Sequence, residues 1–156
     1  MTSAHRGACK NIVSQSEPWV TLCEQVDFQA YITLKQAHVC TMLTAGKTEV
    51  AGFVIFTAEP VFARGGYLRA IGVAPGMRRH GIGRKLLAFT ERMIARRCDN
   101  IFLCVSSFNR PAQSFYRKLG YRRAGKLPGL LIPGESEYIY WKRLRPAGRK
   151  RGEVKL

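Results

Sequence analysis

Apolar residues recur along this chain at two spacings, and the spacing names the element. Trp19, Leu22, Cys23 and Val26 form a short face at helical spacing, behind Ser16-Glu17-Pro18-Trp19. There serine can cap, glutamate suits the positive end and proline is tolerated in the first turn. Tyr31, Ile32 and Leu34, within Phe28 to Gln36, fit either a second short helix or a loop packed on the core. His38 to Thr44 alternates and Val50 to Ala58 is strongly apolar with β-branched and aromatic members, so with Gly46 and Lys47 between them they predict a β-hairpin. Pro60 to Gly66 reads as a connection, and Tyr67 to Val73 as the next strand.

Ile82, Leu86, Phe89 and Met93 then make a core-facing helical stripe, with Lys85, Arg92 and Arg96 on the other face, ending near Arg97. Ile101 to Val105 is a continuous apolar run, as expected of a strand buried on both faces. A second strand-to-helix junction follows, with Asn109 as N-cap, Pro111 early, Ala112, Phe115, Tyr116 and Leu119 on one face, and Gly120 at the end. Tyr121 restarts extended structure, and Glu137 to Leu144 is a last alternating strand. Strands alternating with helices in the second half imply a right-handed crossover and two parallel neighbours in a mixed sheet, an α/β (α+β) fold.

Outside these elements, residues 1–10 have no periodicity and read as a flexible arm, and 145–156 as a basic, disordered tail, leaving 11–144 as one domain. At 156 residues and 46% hydrophobic composition a single core is the natural size. The charge changes the picture: 26 Lys and Arg against 10 Asp and Glu give +16, which raises encounter with anionic partners without choosing among coenzymes, nucleic acid and ribosomes. Five cysteines without a CxxC pair and three histidines far apart suggest neither disulfide framework nor metal site. No h-region and no bilayer-length run is present, so a cytoplasmic protein without membrane contact is expected.

The candidate chemistry lies at Ile71-Gly72-Val73-Ala74-Pro75-Gly76-Met77-Arg78-Arg79-His80-Gly81-Ile82-Gly83-Arg84. A strand stops at a proline, turns through a basic, glycine-bearing loop and enters a helix whose N-terminus carries partial positive charge, which suits phosphate. It is not a P-loop, lacking Gly-Lys-Ser/Thr, and not a dinucleotide fingerprint, because Leu86 stands where the third glycine would be.

Together, Val73-x-Pro75-x-x-Arg78-x-x-Gly81-x-Gly83 and Asn109-x-x-Ala112-x-x-Phe115-Tyr116-x-x-x-Gly120-Tyr121 resemble both halves of the signature of the GNAT superfamily of N-acetyltransferases. The resemblance covers about Val50 to Leu144 and implies a mostly antiparallel sheet, flanked by helices, with a splayed parallel pair at its centre. It implies acetyl-CoA as donor, its pantetheine arm bonding to the backbone along Ile71, Gly72 and Val73 like an added strand. The pyrophosphate would lie at Arg78, Arg79, His80, Gly81, Ile82, Gly83 and Arg84, and Asn109 would hold the arm. Tyr116 would donate a proton to the departing thiolate, and a backbone N–H near Val73 would stabilise the oxyanion.

Related ribosomal-alanine acetyltransferases often place a glutamate where this chain has Cys104, which leaves Glu59, Glu91, Glu135, Glu137 or a water chain as proton acceptor. Cys104 and Cys98 read as buried hydrophobes rather than nucleophiles. The acceptor stays open between a protein N-terminus, a lysine and a small amine. Polyamines are disfavoured by the net charge unless a local acidic pocket reverses it. A reading of a different class makes the chain a nucleic-acid- or ribosome-associated protein with a vestigial or regulatory acyl-CoA site.

Overall fold

The sheet is built on one long strand. In the computed structural model, which describes residues 2–34, 37–46, 49–62 and 64–144, β2 (Val50–Phe62) pairs with β1 (Ala37–Leu43) on one side and β3 (Gly65–Val73) on the other. Its side chains alternate between two cores, as the two-residue period of a strand requires. Val54, Phe56 and Ala58 pack with Leu86, Leu87 and Ile94 of α4 (Ile82–Ala95), whereas Phe53 and Ile55 meet α1 (Ser3–Val13), α2 (Trp19–Leu22) and α3 (Phe28–Thr33).

Among the described residues the remaining elements are β4 (Asn100–Ser106), α5 (Arg110–Lys118), β5 (Arg122–Pro128) and β6 (Ser136–Arg143), and the six strands there lie in the order β1-β2-β3-β4-β6-β5. Every pairing is antiparallel except β3 with β4, so the mixed, mostly antiparallel sheet flanked by helices is what the chain forms. Among the described residues no helix is long and apolar enough to cross a membrane.

Several details differ from the sequence pattern. Residues 3–10, expected as part of a loose arm, belong to α1: Thr2 caps it by accepting from the His5 N–H, and Cys9 is completely buried beside Ile12 and Val13. Its buried face is too short to show as a period, and the helix is held by packing on β2 rather than by propensity. Within Phe28 to Gln36, Phe28–Thr33 forms helix α3, started by the Asp27 carboxylate, which accepts from the N–H groups of Gln29 and Ala30, and residues 35–36 lie outside the described residues. Ser16 does not cap α2; its hydroxyl donates to Ile12 O, and Glu17 takes the Thr21 N–H and hydroxyl instead.

The stretch Pro60 to Gly66 is mostly strand, because β2 continues to Phe62 and β3 begins at Gly65. The buried face of α4 is Leu86, Leu87, Thr90 and Ile94, with Ile82, Phe89 and Met93 only partly covered. The basic segment Arg145 to Leu156 lies outside the described residues.

The feature that positions the site is how briefly β3 and β4 touch. Only Gly65, Gly66 and Tyr67 pair, with Asn100, Ile101 and Phe102. The two glycines permit that contact: a Cβ at Gly65 would lie 2.4 Å from the Phe102 ring, and one at Gly66 would lie 2.6 Å from Ile94 and 2.7 Å from Thr57 O. Immediately beyond, Ile55 pairs with Ala70 and Phe56 with Leu68, so Arg69 is the extra residue of a bulge that bends β3 away. β4 keeps its seven pairs with β6, from Asn100 with Arg143 to Ser106 with Glu137, and the strands part into a V.

The clamp at the foot of the V gives the first prediction. Gly66→Ala forces a methyl against backbone and the Ile94 side chain, so it should cost about 1–3 kcal/mol and lower Tm by several degrees in a circular-dichroism melt. An unchanged Tm would show that the strands can move apart there without penalty.

Candidate active site

The V opens a cleft of about 520 Å³ whose walls include Leu68, Ala70 and Ile71 of β3 and Leu103, Cys104, Val105 and Ser106 of β4. Past Tyr67 and Phe102 the facing strand edges have no strand between them, so their N–H and C=O groups are open to an extended ligand. Asn109, Ala112 and Tyr116 of the α5 region line the same cleft.

The basic corner stands where β3 gives way to α4. Pro75–Met77 forms one 3-10 turn; then Arg79 and Gly81 adopt positive φ, 65° and 76°, which turns the chain into the helix. Nothing lies within 4 Å of where a Gly81 Cβ would be, and the amides of Ile82, Gly83 and Arg84 are the open first turn of α4. Arg79, His80 and Arg84 are exposed around it, with His80 Nδ1 donating to Arg78 O at 2.8 Å. A Cβ on Gly83 would sit 3.5 Å from Phe115, so α4 and α5 abut and the two sequence motifs are brought together.

Three predicted residues are used differently from the rest. Arg78 turns back into the protein, donating to Gln15 O at 3.1 Å, Ser16 Oγ at 2.8 Å and Val73 O at 3.4 Å, so it braces the end of β3 against the α1–α2 connection. Gly72 is buried with the Phe53 ring 2.5 Å from a notional Cβ. Val73 gives its carbonyl to Arg78, and neither Gly72 nor Val73 lines the cavity.

Asn109 is buried and its Oδ1 accepts the Ala112 N–H, the expected cap. Tyr116 is buried among Phe115, Tyr121 and Tyr140, with ring centroids 5.2, 5.4 and 6.5 Å away. Burial, and then the neighbouring Tyr67, push its pKa above the usual phenol value, so it stays protonated at neutral pH and is suited to give a proton rather than take one. Cys104 faces the Tyr67 hydroxyl and is itself pushed up by burial, which keeps the thiol neutral.

The four candidate carboxylates separate clearly. Glu59 pairs with Arg97 at 2.5 Å, Glu91 with Lys142 and the Tyr121 hydroxyl at 3.0 Å, and Glu135 accepts from the Ser107 hydroxyl. None of these three lines the cleft. Glu137 does: it sits on β6 opposite Ser106, is 7% exposed, and its pKa is raised by burial and the Glu24 charge although the Ser106 hydroxyl partly offsets this. Its placement depends on the β4–β6 register, which no local pattern carries. Glu17, Glu24 and Asp27, around α2 and the start of α3, also line the cleft, and the sequence pattern marked none of them as a site residue.

The splayed parallel pair thus opens a cleft lined by a buried phenol, with the open first turn of α4 following the end of β3. The fold is shared by ribosomal-protein-S18-alanine N-acetyltransferase from Escherichia coli (19% identity, 98% of this chain and 96% of that one, TM-score 0.74). It is shared too by aminoglycoside 6'-N-acetyltransferase from Enterococcus faecium (17% identity, 90% and 91%, TM-score 0.72). A Bacillus anthracis protein in complex with acetyl coenzyme A also has it (21% identity, 78% and 70%, TM-score 0.67). No curated protein matches the chain. The acetyltransferase (GNAT) family pattern matches residues 7–121, and the chain belongs to that family. It is an acetyltransferase whose donor is acetyl-CoA, as the two motifs implied.

The buried carboxylate carries a stability signature. Because the folded-state pKa of Glu137 is raised, its protonated form favours folding; that contribution is complete below the unfolded pKa and is lost as pH rises through the folded one. Ionised Glu137 therefore opposes folding at neutral pH. Glu137→Gln should raise Tm at about pH 8, with the difference closing towards about pH 4. A lower Tm at pH 8 in melts of the two proteins would mean that the carboxylate is held by a cation.

Proposed function

We propose that the chain transfers the acetyl group of acetyl-CoA to a primary amine by direct attack in a ternary complex. The observation that carries this reading is the convergence of the open β3 and β4 edges on Tyr116 and Glu137 within one cleft. The pantetheine arm would lie along Ile71 to Val73, with the Asn109 amide group, whose Oδ1 is already used as a cap, donating to it. The pyrophosphate would rest on the amides from Arg79 to Arg84, aided by the exposed Arg79 and Arg84 side chains, while Arg78 braces the loop from behind.

The amine nitrogen would attack the thioester carbonyl carbon, forming the C–N bond, and a backbone N–H near Val73 would steady the oxyanion. Glu137 would take the proton that nitrogen must lose, and as the C–S bond breaks, Tyr116 would protonate the leaving thiolate and be restored from solvent. No covalent enzyme intermediate is needed, and Cys104 serves as a neutral wall residue.

Calorimetry should show acetyl-CoA binding, and absence of binding would end the proposal. Tyr116→Phe should lower kcat by about 10²–10⁴-fold while acetyl-CoA affinity stays within a few-fold. An unchanged kcat would assign Tyr116 to packing alone.

A further inference from the structure

We infer that the acceptor is a small amine bearing a second positive charge, its reacting nitrogen at Glu137 and its far charge at Glu24 beside Glu17 and Asp27. This rests on the acetyl-transfer reading above. The chain has 10 acidic residues against 26 basic ones, yet four of the ten, Glu17, Glu24, Asp27 and Glu137, line this one cleft. Among the described residues the single basic one lining it is Arg69, whose guanidinium stacks 5.5 Å from the Tyr31 and Tyr67 ring centroids and is thereby held to the wall. The cleft is locally negative inside a strongly positive protein, and low-dielectric walls focus such a field on an entering cation.

The buried end of the cleft points to a ligand independently. Ser106 is 2% exposed and its Oγ has no hydrogen-bond partner at full bonding geometry among the described residues, although the hydroxyl is near enough to Glu137 to hold that carboxyl's pKa down. Among the described residues Glu137 has no ion-pair partner. A buried carboxylate and the acceptor lone pairs of the buried hydroxyl beside it are complementary to one ammonium group, which can donate to both.

The mouth supplies the second point of attachment. Glu17 already accepts from Thr21 and Asp27 caps α3, but the Glu24 carboxylate makes no side-chain bond among the described residues. Glu24 is exposed and close enough to Glu137 to raise its pKa, so the two charges bracket a short molecule. The same cleft is lined by Trp19, Leu22, Tyr31, Leu130 and Leu131, a wall for methylene groups; Leu130 and Leu131 are 56% and 48% exposed. The same 520 Å³ must also admit the acyl end of the donor, which favours a small acceptor over a folded protein.

The test measures coenzyme thiol release by the full chain with 1,4-diaminobutane, spermidine, butylamine, an aminosugar and an alanyl peptide with acidic residues, with acetyl-CoA binding followed by calorimetry. The diamines should exceed butylamine in kcat/KM by about tenfold or more at low salt, and the preference should shrink as salt rises. Glu24→Lys should reduce it to about twofold or less, Glu24→Gln to an intermediate value, both variants still binding acetyl-CoA. A preferred aminosugar would keep the two-charge requirement and identify the cyclic source; preferred diamines identify the linear one. Equal rates for butylamine and diaminobutane, a preference untouched by Glu24→Lys, a favoured acidic peptide, or no turnover despite acetyl-CoA binding would overturn the inference alone. Loss of acetyl-CoA binding in the parent chain would instead overturn the acetyl-transfer reading beneath it.

Discussion

The parting of β3 and β4 after three residue pairs is the constraint on which the rest of the molecule depends. Opening a sheet at its centre exposes two rows of backbone polar groups, which normally find partners in a folded protein. The V is tolerable because each arm is supported from outside, β3 by its pairing with β2 and β4 by an unbroken ladder with β6. The bulge at Arg69 supplies the bend, and Gly65 and Gly66 let the foot of the V close under Phe102 and Ile94. The open edges then form a slot that would accept an extended ligand as a strand. Helices α4 and α5 begin at its two rims, which sets an open turn of amides beside one arm and Tyr116 beneath the other.

What was legible in the sequence is what short-range pattern determines. The apolar runs of β2 and β4, the Asn109 cap, the left-handed Gly81 and Gly120, and the two strand-to-helix junctions all rest on residues within a few positions of one another. The N-terminal helix was misread because Cys9, Ile12 and Val13 are its only buried residues, and their partners Phe53 and Ile55 are some forty positions away. Arg78 belongs to the motif by spacing, yet its guanidinium is committed to Gln15, Ser16 and Val73, a long-range contact that no local signal announces. Glu137 could be placed among four candidates but not chosen, since its place beside Ser106 is a matter of register between strands thirty residues apart.

The net charge of +16 illustrates the same divide between composition and arrangement. Taken as a sum it argues against a cationic acceptor, and it remains a sound expectation for the encounter of the whole molecule with anions. Around the cleft the charges are sorted. Arg79, His80 and Arg84 stand at the corner where α4 begins, whereas Glu17, Glu24, Asp27 and Glu137 lie on the cavity walls. A donor that carries phosphates and an acceptor that carries ammonium groups would thus be drawn to opposite ends of one slot.

That polarity also gives a reason for the carboxylate that the fold would be more stable without. Glu137 is buried, ionises with difficulty and lacks a cationic neighbour among the described residues, so in the free protein it opposes folding. Substrate binding would supply the missing positive charge, and the destabilisation of the empty site would return as affinity, while burial would keep the carboxylate a better proton acceptor than an exposed one. The neutral Tyr116 phenol and the reluctant Glu137 carboxylate both owe their character to the same burial, one kept as a donor and the other made a better acceptor. Desolvation inside the V would therefore set both halves of the proton transfer in the proposed reaction.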